Sequence, residues 1–377
     1  MKWKNIATYA ALFGTLLWIS VPLNLGQTSS RWHLIGPAAR YQHTAIYDPG
    51  SDTMVIFGGQ HTSSTQDYKD LWWASNVTTT ACLPPCPIQW SHSSKALAGN
   101  PSARYGHTAV YDSTNLRMVV FGGAEGVESP APCLNDLYVL EDATAVGSGT
   151  EWVTLSATGS PPPVRYSHTA VYDSNDNEMI VFGGNNCSGT YYNDVWVLTN
   201  ANGLGGTPAW KQLSPSGPAP GPRANTSAVY DAVDDIMIVF GGYNGSPYGD
   251  LWVLNHAGGV SGSPAWAQLN PTGTTPSARY QHSAVYDAAD NRMIIYGGHT
   301  KKAADITETW VLANANGLGG APSWTLTSSN GPPRALHSAV YAAATNKMII
   351  FGGQVPKDVN GNPTDDHTYV LNDANGL

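Results

Sequence analysis

The sequence predicts an all-β fold, a six-bladed β-propeller whose last blade is closed by the N-terminal strand. Three observations predict it. A motif of the form Arg-Tyr-Gly-His-Thr-Ala-Val-Tyr-Asp, clearest at residues 104–112, recurs six times, beginning at Arg40, Arg104, Arg165, Arg223, Arg279 and Arg334. Each copy leads into an apolar run that ends on a glycine pair: Gly58 and Gly59, Gly122 and Gly123, Gly183 and Gly184, Gly241 and Gly242, Gly297 and Gly298, Gly352 and Gly353. The first glycines of successive pairs lie 64, 61, 58, 56 and 55 residues apart. A period a little above 50 residues, closing on a Gly-Gly strand end, belongs to a propeller array and not to a helical solenoid.

Each unit reads as four short strands. In the second unit the first covers 107–111, rich in β-branched and aromatic residues, and a polar turn leads to the wholly apolar 118–121. A third strand falls at 136–140 and a fourth around 152–155, with Gly/Pro/Ser-rich loops between them, such as 159–163. Apolar runs without clean alternation mean that both faces of each sheet are covered, as they are in a blade held between two others. The glycine pair allows positive φ and the close approach of another backbone or ring. About 24 antiparallel strands are expected.

These units resemble the kelch family of β-propellers over nearly everything after residue 30. The marks are the glycine pair, a third-strand aromatic (Trp72, Tyr138, Trp196, Trp252, Trp310, Tyr369) and a fourth-strand tryptophan (Trp90, Trp152, Trp210, Trp266, Trp324). The sixth unit stops after its third strand, while an orphan Arg31-Trp32-His33-Leu34 precedes the first unit. The two halves make one blade, which spares the sheet two open edges.

Residues 1–30 are read as a signal peptide or an N-terminal signal anchor, and 31–377 as the propeller. Lys2 and Lys4 precede an apolar stretch from Ile6 to about Leu25, the pattern of an export signal. The expected location is therefore extracytoplasmic, with membrane contact only through that segment. Net charge is −9 with no Lys/Arg cluster, which argues against nucleic acid or an anionic membrane surface as a partner. Four cysteines, all placed in loops, read as two disulfides, Cys82 with Cys86 and Cys133 with Cys187. A thiolate metal site would need all four to converge.

An arginine present in every unit is most simply structural, pairing with an acid at the start of the third strand: Asp70, Asp136, Asp194, Asp250 or Glu308. The sixth unit breaks this pattern with His367, beside Asp366. Histidine recurs as His43, His107, His168, His282 and His337, with Thr226 in the fourth unit. A ring of channel histidines holding a metal is the sharper reading; packing between blades is the plainer one. The Asp/Asn-rich turns lack the glycine and terminal glutamate of an EF-hand loop and read as hairpins. No metal or cofactor is expected.

The tyrosine after the arginine is less uniform, with Tyr41, Tyr105, Tyr166 and Tyr280 against Ala224 and Ala335. With the loop residues Tyr191, Tyr192, Tyr243 and Tyr248 they form the candidate ligand-binding set, on the face that carries the longer second-to-third-strand loops. The expected function is a binding module for a protein or glycan. The resemblance to kelch catalysts, sugar mutarotases and the galactose-oxidase type, implies the alternative, a carbohydrate-active enzyme.

Overall fold

The first run of every repeat forms the innermost strand of a blade: Thr44–Asp48, Thr108–Asp112, Thr169–Asp173, Ser227–Asp231, Ser283–Asp287 and Ser338–Ala342. The apolar run forms the second strand, as in Thr53–Phe57, Glu178–Phe182 and Ile236–Phe240, where every residue is buried. The third and fourth strands follow outward, for example Val195–Thr199 and Ala209–Leu213 in the third blade. All pairings within a blade are antiparallel, in chain order from the axis outward. The computed structural model describes residues 36–61, 67–79, 88–93, 97, 99–126, 131–145, 149–302, 306–356 and 364–377. Across them the chain is a six-bladed β-propeller. Five blades have four strands and the sixth has three among the described residues; the strand expected at Trp32 lies outside them. The only helical turn described is the three-residue Ala343–Thr345.

Blade contacts repeat around the ring. The fourth-strand tryptophan of one blade packs on the second-strand phenylalanine of the blade before it: Trp152 on Phe57, Trp210 on Phe121, Trp266 on Phe182, Trp324 on Phe240 and Trp90 on Phe351. Centroids are 4.9 to 5.2 Å apart. A buried aromatic of this size removes enough area from water to stabilise the fold by roughly 4–6 kcal/mol, before conformational entropy is counted. The Trp90–Phe351 pair joins the sixth blade to the first. So does Lys347, whose Nζ donates to the Thr78 carbonyl at 2.6 Å.

The glycine pair sits where two blades meet. Gly122 and Gly123 have φ of +64° and +101°. A Cβ on Gly122 would lie 2.9 Å from the Arg165 carbonyl of the next blade, and one on Gly123 would lie 2.9 Å from the His107 Cβ. The first cannot retreat without opening the blade interface, nor the second without disturbing the pairing of the blade's own two inner strands. The Gly123 amide donates to that Arg165 carbonyl at 2.9 Å, and Gly353 closes the ring by donating to Arg40 at 2.8 Å.

Two boundaries differ from the sequence reading. The third strand of the second blade begins at Cys133, so this cysteine belongs to a strand and not to a loop. The pairing of Met118–Ala124 with this strand continues past a bulge at the glycine pair, carrying the ladder three residues further. The polar turns are hairpins as expected: Asp173 accepts the Asn175 amide at 2.9 Å, and Asn177 has φ of 54°.

Candidate functional site

Because every innermost strand runs the same way, the channel has two distinct ends. The upper end carries the arginine, the tyrosine after it and the second-to-third-strand loops. The lower end carries the first-to-second-strand hairpins.

At the upper end each arginine is fully buried and serves its own blade. Arg40 donates to the Gly58 carbonyl at 3.0 Å and to both oxygens of Asp70, at 2.6 and 2.9 Å. Asp136, Asp194 and Asp250 are held in the same two-bond way, and Glu308 by one bond of 2.7 Å. The sixth blade keeps the pairing, contrary to the reading that His367 breaks it. Arg334 binds Asp365 at 2.9 Å, not Asp366. Burial would raise the Asp70 and Asp250 pKa values, but hydrogen bonds from Arg40 and Arg223 outweigh it and hold both below the usual carboxylate range. Tyrosines lie flat on the guanidiniums: Tyr68 on Arg40, Tyr192 on Arg165 at 4.6 Å, Tyr248 on Arg223 at 4.0 Å.

The histidines, three residues after the arginines, form a layer below them. His107 Nε2 meets the Thr44 hydroxyl at 2.9 Å, His168 meets Thr108 at 2.8 Å, and His43, His282 and His337 meet Ser338, Ser227 and Ser283. Each bond joins a blade to the one before it. Burial, assisted by the adjacent arginine, lowers His43 and His282 to about 3 and the other three well below their ordinary value, so all five are neutral. Thr226, which replaces histidine in the fourth blade, donates instead to the Phe240 carbonyl.

Between tyrosine and histidine stands one residue per blade with positive φ: Gln42, Gly106, Ser167, Asn225, Gln281 and Leu336. Their amides form a closed belt, each donating to the carbonyl of the same position in the preceding blade at 2.7–3.0 Å, with Gln42 donating to Leu336. These residues and the histidines line a cavity of about 140 Å³. Gln42 reaches across it to the Ser167 hydroxyl at 3.3 Å.

Above the belt the candidate tyrosines separate into two groups. Tyr192 and Tyr248 are the arginine covers just described. Tyr105 and Tyr166 meet edge to face at 6.2 Å, Tyr191 meets Tyr243 at 6.5 Å, and Tyr243 lies 4.8 Å from Tyr280, which contacts His299. Tyr41 hydrogen-bonds Gln60. All of these rings are half-buried. Tyr243 pairs with Ala224 through the backbone and brings a ring to one of the two blades whose motif lacks one. Asp67, which sequence reasoning passed over, adjoins this arc; it accepts the Gly126 amide at 2.6 Å and is 8% exposed. Burial, then the charge of Asp67, raises Tyr105 to about 12. Cys133 and Cys187 form a disulfide between the second and third blades, with Cα atoms 5.7 Å apart; Cys82 and Cys86 lie outside the described residues.

The KLHDC2/KLHL20/DRC7 Kelch-repeats domain model matches residues 26–144, 88–259 and 261–375. The Caenorhabditis elegans host cell factor homolog hcf-1 is 29% identical over 71% of this chain and 34% of its own length. Human host cell factor 2 is 29% identical over 75% of this chain and again 34% of its own. The alpha chain of the flagellar outer arm dynein of Chlamydomonas reinhardtii is 33% identical over 52% of this chain but only 4% of its own. The chain thus spans about a third of the host cell factor relatives and a small part of the dynein. The solved structure titled "Structure of YjhT" superposes with a TM-score of 0.61 at 16% identity, covering 89% of this chain and 99% of that one, which is a likeness of fold.

Proposed function

This chain belongs to the kelch-repeat family of β-propellers, a protein-interaction fold, and on that premise we propose that its upper face binds a segment of a partner protein outside the cytoplasm. One observation carries the reading: Tyr41, Tyr105, Tyr166, Tyr191, Tyr243 and Tyr280 form an irregular arc of half-buried rings around the channel mouth, beside Asp67. Half-buried phenols offer large contact area at low entropic cost, with an apolar face and a polar tip. Asp67 adds negative charge, which favours a segment with basic residues. Export is supported by the apolar stretch after Lys4 and by the Cys133–Cys187 bond.

Panning a random peptide library on the purified protein, with a glycan array in parallel, tests the ligand class. Peptides that lose affinity for the Tyr243→Ala/Tyr280→Ala variant at unchanged melting temperature support the proposal. Peptides bound equally by the variant remove it, and glycan binding alone would transfer the same face to carbohydrate. Location is checked by N-terminal sequencing of protein recovered from the extracytoplasmic fraction; recovery from the cytoplasm alone would remove that part.

A further inference from the structure

The lower end of the channel holds a second cavity, of about 540 Å³, within the usual size range of small-molecule sites. Its wall is sixfold. Tyr47, Tyr111, Tyr172, Tyr230, Tyr286 and Tyr341, one from each innermost strand, stand around it, with Ala45, Ala109 and Ala170 among the small residues that leave the space open. We propose that this cavity binds a small organic cation, an alkylammonium group, on its ring of tyrosines. The proposal is independent of the upper face.

The chemistry follows from where the phenol protons go. Tyr47 donates to Asp52 at 3.0 Å, Tyr172 to Asn177 at 3.0 Å and Tyr341 to Asn346 at 3.1 Å. Tyr230 lies 2.8 Å from Asp173 and 3.0 Å from Asp235; Tyr286 lies 3.1 Å from both Asp231 and Asn291. A phenol whose proton is committed to a carboxylate or amide oxygen keeps only acceptor lone pairs and an electron-rich ring for a ligand. Of the six phenols only Tyr111 lacks a hydrogen-bond partner, so an anion or an acceptor-only group would find one free phenol donor there and, among the described residues, no cationic side chain in the lining. A cation would find both lone pairs and ring faces, the arrangement that recognises ammonium groups.

The surrounding charge has the same sign. Asp48, Asp112, Asp173, Asp231 and Asp287 end five of the six innermost strands and are 2–5% exposed. Hairpin amides, phenols and the side chains of Asn202, Asn316 and Asn375 satisfy them. Among the described residues, none forms an ion pair with lysine or arginine. The one charged side chain lining the cavity, among the described residues, is Asp52. Burial, followed by neighbouring carboxylates, raises Tyr47 and Tyr111 to about 12, and Tyr172, Tyr230, Tyr286 and Tyr341 rise with them. The phenols therefore stay neutral acceptors at ordinary pH. The cavity combines apolar walls, oriented acceptors and nearby carboxylates that, among the described residues, make no direct ion pair with lysine or arginine.

The test titrates the full chain with n-butylammonium and with two controls that carry the same butyl chain, n-butanol and pentanoate, following binding by saturation-transfer NMR and calorimetry. Saturable binding of the ammonium, with roughly tenfold or greater preference over the alcohol and no binding of the carboxylate, is expected. Equal binding of ammonium and alcohol, preference for the carboxylate, or no binding of any probe would overturn the proposal. Tyr230→Phe/Tyr286→Phe should weaken the ammonium roughly tenfold; the lost phenol hydrogen bonds should lower the melting temperature by about a few degrees and leave the variant folded. Ala109→Leu/Ala170→Leu, which fills the space, should abolish binding; if that variant fails to fold, the phenylalanine pair still decides. Retained affinity in a folded phenylalanine variant would also overturn it. A peptide with an internal lysine, run alongside, separates the two sources of the cation: binding of the peptide assigns a partner's side chain, binding of the free amine alone a small molecule.

Discussion

The two ends of the channel are made from one repeat, yet one end is regular and the other is not. At the lower end all six blades present a tyrosine at the same strand position, fixed by hairpins of nearly constant geometry. At the upper end four blades present a tyrosine after the arginine, a fifth borrows Tyr243 from a loop, and the sixth offers Ala335, whose backbone pairs with Gln354. The difference teaches where the repeat is constrained. A position whose side chain bonds the adjoining blade cannot drift, whereas a loop that only overhangs the rim can change length and composition at small cost.

The largest expected effect addresses the layer that separates the two ends. Five histidines are held neutral, with folded pKa values below the unfolded 6.5. Their contribution is complete above pH ~6.5 and is lost as pH falls, by about 1.4 kcal/mol per pH unit for each histidine until the folded pKa is reached. Glu178 acts oppositely. Burial, then Asp176 and Asp173, raises it to about 7 from 4.5, so its contribution declines as pH rises between those values. Stabilities from denaturant unfolding should therefore stay nearly level from pH ~7.5 to about 6.5 and then fall toward pH ~5 with a slope approaching about four protons. His168→Thr, which copies the fourth blade, should reduce that slope by about one. A flat profile would mean that the layer is charged or open to water.

The next effect concerns the upper end alone. Asp250→Ala leaves Arg223 buried without its carboxylate and should cost about 3–5 kcal/mol in denaturant unfolding. Tyr172→Phe at the lower end removes one phenol hydrogen bond and should cost about 1 kcal/mol. Similar costs would erase the distinction between a structural upper clamp and a lining lower ring. Replacing Cys133 and Cys187 together by alanine should lower stability by about 2–4 kcal/mol, read as a shifted midpoint.

The smallest effect sharpens the division among the upper tyrosines. Tyr192→Ala and Tyr248→Ala uncover Arg165 and Arg223 and should cost about 1 kcal/mol more than Tyr191→Ala and Tyr243→Ala. The second pair should change ligand affinity and the first should not. If all four behave alike in both measurements, the arc is packing.

Much of this was legible in the sequence, for reasons that particular residues make plain. The arginine clamps followed from two strands that begin on one face, and five acids stand two residues before the third-strand aromatic, as Asp70 does before Trp72. Asp365 was missed because it stands four residues before Tyr369, so spacing alone pointed to His367. Tyr191 and Tyr192 could not be told apart, since a loop has no strand alternation to say which ring turns inward toward Arg165. The lower cavity was not legible at all. Tyr111 reads locally as a β-forming residue, and only closure of the ring brings six such residues to one space.

The belt of amides at Gln42, Gly106, Ser167, Asn225, Gln281 and Leu336 has an electrostatic consequence. In a helix the peptide dipoles align head to tail along a line and leave opposite partial charges at its two ends. Here they follow one another around a circle and return to the start, so their components in the plane of the ring cancel. The belt has no positive or negative pole within that plane. The charged side chains distinguish the two ends, the aspartates below and Asp67 above, on either side of a collar of backbone that favours no direction within its own plane.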